Sequence, residues 1–263
     1  MGERAYYDQA QLWAAERYLG DEDQRRRLDL TSDILPIELE SLLDVGAGNG
    51  AFLSTLERRK LPCKLHGLER SQEAINQSIC RAPIAYGSLE SLPFDDESFD
   101  LVSALEVIEH LPHSIFEAGL REMSRVARRH VLVSVPYRER RWNVTCPYCQ
   151  SAFHPYIHLR SFDEHRMERL FDGFVLVKTV YVMVDAPVLP ATILHRIRNI
   201  RGRLASMPPL VVCPVCGYSK SQVEIGIRSK QSFVFHMPQE MKRAWPMQKQ
   251  PKWIIALYRK VAV

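Results

Sequence analysis

The sequence lacks an apolar run long enough to span a bilayer. Its most apolar stretch, residues 174–184, is interrupted by Lys178 and is shorter than the roughly 20 residues that a membrane helix needs. The first residues, MGERAYYDQAQ, also lack the apolar core of a signal peptide. These absences argue against an integral membrane protein and favour a cytoplasmic location.

A strong excess of charge of one sign is also missing. The chain has 35 basic and 31 acidic residues and a formal net charge of +4, whereas dedicated nucleic-acid binders concentrate basic residues in stripes. Internal repeats and low-complexity tracts are absent too, which argues against a solenoid or a disordered tail. What is present is a hydrophobic content of 46% in 263 residues, which is enough for a packed core without disulfides.

Short apolar runs alternate with helical patterns along most of the chain. Helices are predicted at residues 24–35, 51–56, from 71 onward, 114–127 and 163–171. Strands are predicted at residues 42–45, 64–68, near 85, 100–105, 130–135, 174–184 and 253–258. This alternation predicts an α/β fold with a doubly wound, mostly parallel, seven-stranded Rossmann-like sheet.

The segment between the last two predicted strands has another character. It contains a basic amphipathic helix at residues 190–204, a Pro-Pro break and a pair of cysteines, so we interpret it as a zinc-bearing insertion before the last strand. Four interpretations of the basic helix stay open. It presents a solvated face, covers a substrate pocket, rests on an anionic membrane surface or binds phosphates. The expected domains are an N-terminal helical cap (1–41), a Rossmann-like core (42–186) with a zinc-knuckle loop (146–162), the insertion (187–251) and a final core strand (252–263).

Residues 42–50, LLDVGAGNG, place three glycines between a predicted strand and a predicted helix. Glycine in such a turn lets a ligand approach the backbone closely. The spacing also satisfies the dinucleotide fingerprint, so the turn alone leaves a nicotinamide cofactor open. Asp44 favours S-adenosylmethionine, because a carboxylate beside the turn repels a pyrophosphate but attracts an ammonium group. Glu69, at the end of the second strand, is placed to accept hydrogen bonds from ribose hydroxyls.

The order of these and later motifs resembles the class I S-adenosylmethionine-dependent methyltransferases. The glycine turn and Glu69 are followed by GSLESLPF at 87–94, FDLV at 99–102 and EVIEHL at 106–111. The resemblance covers residues 42–135 and the final pair of strands, and it implies that Ser88 and Leu89 flank the adenine. The cofactor-binding residues are then expected to be Asp44, Gly46, Ala47, Gly48, Gly50, Glu69, Arg70, Ser88, Leu89 and Glu106.

We expect the chemistry to be carried by His110, His158 and Glu109. Methyl transfer mainly needs the nucleophile held in line in a dry pocket, and a hydroxyl acceptor must also lose a proton. His110 and His158 are candidate bases because imidazole titrates near neutral pH. His110 follows the fourth strand and His158 lies beyond the fifth. The alternative is that both histidines only support local structure.

A divalent-metal site is a further alternative at the same place. Glu106, Glu109, His110 and His158 would offer two carboxylates and two imidazoles to an ion such as Mg²⁺, which would draw a substrate diol toward it. The Glu-x-x-Glu-His spacing resembles that of small-RNA 3′-terminal 2′-O-methyltransferases. The metal alternative is therefore compatible with RNA methylation of the 2′-O type.

Two Cys-Pro-x-Cys pairs predict a metal site. Cys146 with Cys149 and Cys213 with Cys216 each place two sulfurs on one tight turn, and four thiolates complete a tetrahedral zinc site. Such a site has no coordination position left for water, so the zinc would be structural. His154 replacing one cysteine and a pair of redox-sensitive dithiols are the alternatives.

Together these features predict an enzyme that methylates a small-molecule or glycan-type acceptor, more often on oxygen than on nitrogen. RNA methylation, with the cysteine knuckles and the basic helix as a docking surface, is the second hypothesis. A catalytically silent interaction module is the third. Peripheral membrane contact stays open, and the acceptor depends on loops whose packing the sequence does not reveal.

Overall fold

The structure is a computed structural model, and it describes residues 6–139, 141–187, 207, 211–219 and 247–261. The helices are α1 (Ala15–Leu19), α2 (Glu22–Asp33), α3 (Ala51–Arg58), α4 (Gln72–Asn76), α5 (His113–Val126) and α6 (Glu164–Glu168), with a 3-10 turn at Ala10–Leu12. The strands are β1 (Ser41–Val45), β2 (Lys64–Glu69), β3 (Ile84–Tyr86), β4 (Phe99–Leu105), β5 (Ala127–Pro136), β6 (Val144–Thr145), β7 (Ala152–Phe153), β8 (Phe174–Pro187) and β9 (Met247–Lys260).

Seven of these strands form one sheet in the order β3-β2-β1-β4-β5-β9-β8. The pairs β1–β2, β1–β4, β2–β3 and β4–β5 are parallel, and β9 runs antiparallel to β5. The predicted mostly parallel, seven-stranded Rossmann-like sheet is therefore confirmed. The strand order reverses between β1 and β4, so a ligand crevice is expected at the carboxyl ends of these two strands.

The core lies where helix α5 packs on the centre of the sheet. Leu43, Val102 and Val133 are fully buried on adjacent strands, because a parallel sheet covered on both faces needs apolar side chains on both. Helix α5 buries Phe116 and Met123 on one face. Burial of each such side chain stabilises the folded state by roughly 1.5–3 kcal/mol relative to leaving it exposed. This packing holds the carboxyl ends of β1 and β4 in place.

Short polar side chains cap the first turn of several helices. Asp21, Ser71 and Asp163 each accept a hydrogen bond from a backbone N–H of the first turn that follows. Such caps satisfy N–H groups that lack a partner inside the helix. The cap at Ser71 starts α4 directly after β2, which leaves Glu69 at the edge of the sheet.

Several predicted boundaries were wrong, among them the end of α6 and the start of β9. Helix α6 ends at Glu168, well short of residue 171, because Leu170 and Phe171 turn into the core and Gly173 adopts a positive φ of 76°. Strand β9 begins at Met247 instead of residue 253, because its first residues are polar and exposed and carry no hydrophobic signal. The predicted basic helix at residues 190–204 lies outside the described residues.

The chain divides into two compact units. The larger consists of residues 10–139, 159–182 and 251–263, and the smaller of residues 1–9, 140–158 and 183–250. The larger unit contains β1 to β5 with helices α1 to α6, and the smaller contains the β6–β7 ribbon and both cysteine pairs. Within the described part of the chain, no helix is long and apolar enough to cross a membrane.

Candidate cofactor and acceptor site

The turn between β1 and α3 requires its three glycines. Gly46, Gly48 and Gly50 have φ values of 71°, 56° and 78°, in the left-handed region that residues with a Cβ rarely adopt. A Cβ would also lie 2.5 Å from Val107 at the first glycine, 2.8 Å from Trp13 at the second and 2.4 Å from a cysteine sulfur at the third. The turn is thus packed closely against side chains at all three glycines.

Backbone N–H groups of this turn and of the end of β2 form hydrogen bonds with the Glu69 carboxylate. Its Oε2 accepts a hydrogen bond from Gly48 N at 2.8 Å, and its Oε1 accepts bonds from the N–H groups of Arg70 and Ser71, each at 2.8 Å. Burial raises the pKa of Glu69, while these three donors act in the opposite direction. The carboxylate has a fixed direction and retains lone pairs that can accept hydroxyl hydrogens.

Asp44 is buried at the end of β1, where the strand order reverses. Its side chain accepts a hydrogen bond from the Ser103 hydroxyl at 2.7 Å. Burial raises the pKa of Asp44 to about 7, and the hydrogen bond from Ser103 and then the charge of Arg27 partly offset this effect. A carboxylate desolvated in this way gains most from a cationic ligand group, because a cation restores the stabilisation lost with water.

Arg27 is a candidate site residue that the sequence patterns did not reveal. It lies on α2 and is 4% exposed. Its Nε and Nη2 donate to Gln24 Oε1 at 3.1 and 2.9 Å, whereas its Nη1 is buried and has no hydrogen-bond partner among the described residues. One feature of the sequence could have pointed to Arg27. It lies four residues before Thr31, and this helical spacing places both residues on the buried face of α2. The unpartnered nitrogen suits an anionic ligand group.

The predicted adenine contacts lie on the segment after β3. Ser88 is half-buried, and its carbonyl accepts a hydrogen bond from Ser91 N. Leu89 is 6% exposed and belongs to the main apolar core. Arg70 is exposed, with its backbone N–H bound to Glu69. The contacts of Ser88, Leu89 and Arg70 with an adenosine group stay predictions.

Glu106 follows β4 with a left-handed backbone, at a φ of 59°. A non-glycine residue in this conformation stores roughly 1–3 kcal/mol of strain. Its carboxylate accepts hydrogen bonds from Trp253 Nε1 at 2.7 Å and from the Ser134 hydroxyl at 3.5 Å. Both oxygens of Glu106 are thus bound to protein donors, which links the end of β4 to β5 and β9.

Glu109 and His110 are brought together on the turn after β4. Glu109 is fully buried, and neither of its carboxylate oxygens has a hydrogen-bond partner among the described residues. Burial, followed by the charge of Glu106, raises the pKa of Glu109 well above its ordinary value. His110 Nε2 lies 3.9 Å from Glu109 Oε1. This pair is the candidate acid-base group of the larger unit.

His158 belongs to the smaller unit. Its ring stacks on the ring of His154, with centroids 4.9 Å apart and an interplanar angle of 23°, and its backbone N–H donates to His154 Nδ1 at 3.2 Å. The predicted role of His158 as a second base stays a prediction.

The two cysteine pairs form one cluster in the smaller unit. Cys146 Sγ lies 3.6 Å from Cys216 Sγ, and Cys149 Sγ lies 3.6 Å from Cys213 Sγ. All four sulfurs lie within 4.8 Å of one another. A tetrahedral site with zinc–sulfur bonds of about 2.3 Å places its sulfurs about 3.8 Å apart, which these distances match closely. The spacing of the four sulfurs is therefore compatible with a tetrahedral metal site.

The same backbone geometry repeats in the two cysteine turns. Gln150 N donates to Cys146 O, and Gly217 N donates to Cys213 O in the same relative position. A small apolar core supports the cluster; it contains Val144, Phe153, Met207 and Val211. The predicted convergence of the two pairs is confirmed, and His154 stacks on His158 instead of joining the four sulfurs.

Comparison with known proteins agrees with this geometry. Residues 43–135 match the family model described as a methyltransferase domain. A phthiotriol/phenolphthiotriol dimycocerosates methyltransferase from Mycobacterium tuberculosis is 35% identical over 118 residues, which are 41% of this chain and 42% of that protein. A trans-aconitate 2-methyltransferase from Afipia carboxidovorans is 36% identical over 75 residues, or 28% of this chain and 29% of that protein. The chain thus spans at most about two fifths of these curated relatives.

A solved Haloferax volcanii complex, described as a methyltransferase activator with its candidate methyltransferase, provides a structural neighbour. The similarity has a TM-score of 0.57 at 16% identity and covers 97% of this chain and 99% of the other. At this identity the match shows the fold alone. Residues 43–135 therefore match a methyltransferase domain, and they lie in a seven-stranded Rossmann-like sheet.

Proposed function

We propose that this protein transfers a methyl group from S-adenosylmethionine to a hydroxyl group of a small-molecule, lipid or glycan-type acceptor. The observation that carries the proposal is the pair of buried carboxylates, Asp44 and Glu69, beside the glycine turn at the carboxyl ends of β1 and β2. The curated relatives named above are methyltransferases of small-molecule and lipid substrates. The substrates in the names of these relatives support the acceptor class without identifying the acceptor.

The residues present fit the cofactor at both ends of its amino-acid group. Asp44 would hold the ammonium group, because burial leaves its carboxylate in need of a cation. Arg27 Nη1, which is buried without a partner in the described structure, would hold the carboxylate. Glu69 would accept the ribose hydroxyls. When bound, the cofactor supplies an electrophilic methyl group on a sulfonium ion.

The same residues oppose a dinucleotide. A pyrophosphate at this turn would bring negative charge close to the buried carboxylates of Asp44 and Glu69. Burial already raises the pKa of both groups, so a second anion would add repulsion in a poorly solvated place. The fit of the site is thus specific for a ligand that carries positive charge.

Proton transfer from the acceptor would be the task of the turn after β4. A ring nitrogen of His110 would receive the proton of the acceptor hydroxyl, with the Glu109 carboxyl group 3.9 Å from His110 Nε2. The full burial of Glu109 excludes water from this group and favours its neutral form in the free protein, because burial raises its pKa. His158 is retained as a second candidate base on the sequence argument alone.

For the cysteine cluster we propose a structural zinc ion held by Cys146, Cys149, Cys213 and Cys216. Four sulfurs leave no position for water or substrate, so the ion would stabilise the smaller unit and take no part in catalysis. A thiolate site also fits the cytoplasmic location predicted from the sequence, because a reducing compartment keeps thiols available to metal.

Titration calorimetry of the full chain tests the main proposal. The protein is titrated in parallel with S-adenosylmethionine, S-adenosylhomocysteine and NADH. We expect binding of the first two ligands and no detectable binding of the third. Binding of NADH without binding of either adenosyl ligand would overturn the assignment. Steep salt dependence of binding to RNA, tested beside these titrations, would move the acceptor class to nucleic acid.

A further inference from the structure

We infer that Arg160 is a positioning residue that fixes the turn carrying Glu109 and His110. This turn, residues 106–111, is called the acceptor turn below. The inference rests on the proposed function, because it assigns Arg160 a role through those two residues.

Hydrogen bonds to carbonyl groups join Arg160 and its neighbour to the acceptor turn. Arg160 Nη1 donates to the carbonyl oxygen of Ile108 at 3.0 Å and also to that of Leu111. Leu159 N donates to the carbonyl oxygen of Glu109 at 2.8 Å. Carbonyls on both sides of Glu109 and His110 are thus bound from one short segment located about 50 residues further along the chain.

The guanidinium group of Arg160 is held firmly in its own position. The residue is 6% exposed, and its Cζ lies 3.9 Å from the ring centroid of Phe116 on α5. The acidic groups that act on its charge are Glu109 and Glu117. A buried guanidinium that faces carbonyl oxygens and stacks on a ring uses the planar donor geometry of arginine, which lysine does not offer.

The acceptor turn needs such support because its functional carboxylate has none of its own. Both oxygens of Glu109 are buried and unpartnered in the described residues, so hydrogen bonds do not orient the side chain. Its direction follows from the backbone, which begins in the left-handed conformation at Glu106. Fixing the carbonyls of Ile108 and Leu111 therefore fixes the direction of Glu109 and of the adjacent His110.

The test compares Arg160→Lys and Arg160→Gln with the control Arg166→Gln in the full chain. Arg166 lies over the rings of Phe116 and Phe162 as well, but its side chain donates to Ser161 and not to the acceptor turn. The readout is the imidazole NMR signal of His110 in histidine-labelled protein, assigned by its loss in His110→Asn. Titration with S-adenosylhomocysteine and thermal unfolding are measured on the same samples.

We expect both Arg160 variants to shift and broaden the His110 signal while the control leaves it unchanged. Affinity for S-adenosylhomocysteine should change by less than about twofold in all three, because Arg160 does not touch the glycine turn. Free guanidinium ion should restore the signal in Arg160→Gln. Arg160→Lys keeps the charge and is expected to fold, so a wild-type His110 signal in that variant would overturn the inference even if Arg160→Gln does not fold.

Equal disturbance of every histidine signal in Arg160→Lys would also overturn the inference, because it would show a general loss of structure. Failure of the wild-type protein to bind S-adenosylhomocysteine would instead contradict the proposed function. The two failures are therefore distinguishable in one set of samples.

Discussion

The backbone amide of Gly48 donates to the carboxylate of Glu69 at 2.8 Å. This bond joins the turn after β1 to the end of β2, and β1 is one of the two strands between which the strand order reverses. Only a glycine allows the turn to come this close, because Gly48 has a φ of 56° and a Cβ there would meet Trp13. The candidate cofactor site depends on this approach of two neighbouring loops.

Replacing Glu69 by glutamine should weaken binding of S-adenosylhomocysteine by about tenfold or more. The amide nitrogen of glutamine is a donor, so it cannot accept the backbone hydrogen bonds that one of the two carboxylate oxygens accepts in the wild type. Calorimetry measures the change. Glu57→Gln is the matched control, because that carboxylate also accepts backbone N–H groups, from Arg81 and Ala82, away from the turn. Equal affinities of the Glu69 variant and the wild type would contradict the assignment.

The affinity for S-adenosylhomocysteine should rise with pH between about 5 and 7. The pKa of Asp44 is about 7 in the free protein, so binding of an ammonium group at lower pH must first remove a proton from this carboxyl. Well below the pKa, the affinity should fall by nearly tenfold for each unit by which the pH is lowered. Calorimetry across this range checks the slope, and Asp44→Asn should abolish it while weakening the binding. A slope that persists in the variant would assign the titration to another group.

The stability of the free protein should change with pH in the opposite direction. Because the pKa of Asp44 is raised on folding, the unfolded chain loses this proton first, and stability falls as pH rises from about 4 to about 7. Asp44→Asn removes this dependence and should raise the Tm of the ligand-free protein at pH 8 relative to wild type. Scanning calorimetry at pH 5 and pH 8 makes the comparison.

Arg27→Met should weaken binding of S-adenosylhomocysteine by about tenfold or more, because a charged hydrogen bond contributes roughly 1.5–3 kcal/mol. Binding of 5′-methylthioadenosine, which lacks the amino-acid group, should stay unchanged. The exposed neighbour Arg26 supplies the control variant Arg26→Met. Equal losses for both ligands would place Arg27 in a structural role.

Cys213→Ser should remove zinc and lower the Tm together, because the ion would stabilise only the folded arrangement of four thiolates. Metal analysis of the purified protein and thermal unfolding give the two readouts. Cys63→Ser, which changes a cysteine outside the cluster, should alter neither. Full zinc content in Cys213→Ser would show that the ligands are different.

His110→Ala should reduce turnover by about 10²–10⁴-fold, the usual contribution of a general base, and should leave affinity for S-adenosylmethionine nearly unchanged. The acceptor for this assay is sought in a panel of hydroxyl compounds with methyl-labelled cofactor. Equal losses of turnover and of cofactor affinity would assign His110 to binding instead.

Much of the fold could be predicted from local patterns. The strands 42–45 and 64–68 and the glycine turn between them were located within a residue or two, because strand burial and left-handed turns leave a signal in a few consecutive residues. Boundaries failed where the signal was not local. Strand β9 extends over polar residues that pair with neighbouring backbone, and α6 ends where the core captures Leu170 and Phe171.

The sequence by itself determined that a glycine turn, two carboxylates and two cysteine pairs exist in the right order, because each of these features is a property of a few neighbouring residues. Only the tertiary structure decided which charged groups are already satisfied. Glu106 is bound by Trp253, 147 positions away, whereas Glu109, three residues after Glu106, has unpartnered oxygens and Arg27 an unpartnered nitrogen within the described chain. The partner of a buried charge comes from distant segments brought together by packing, and no local pattern encodes it.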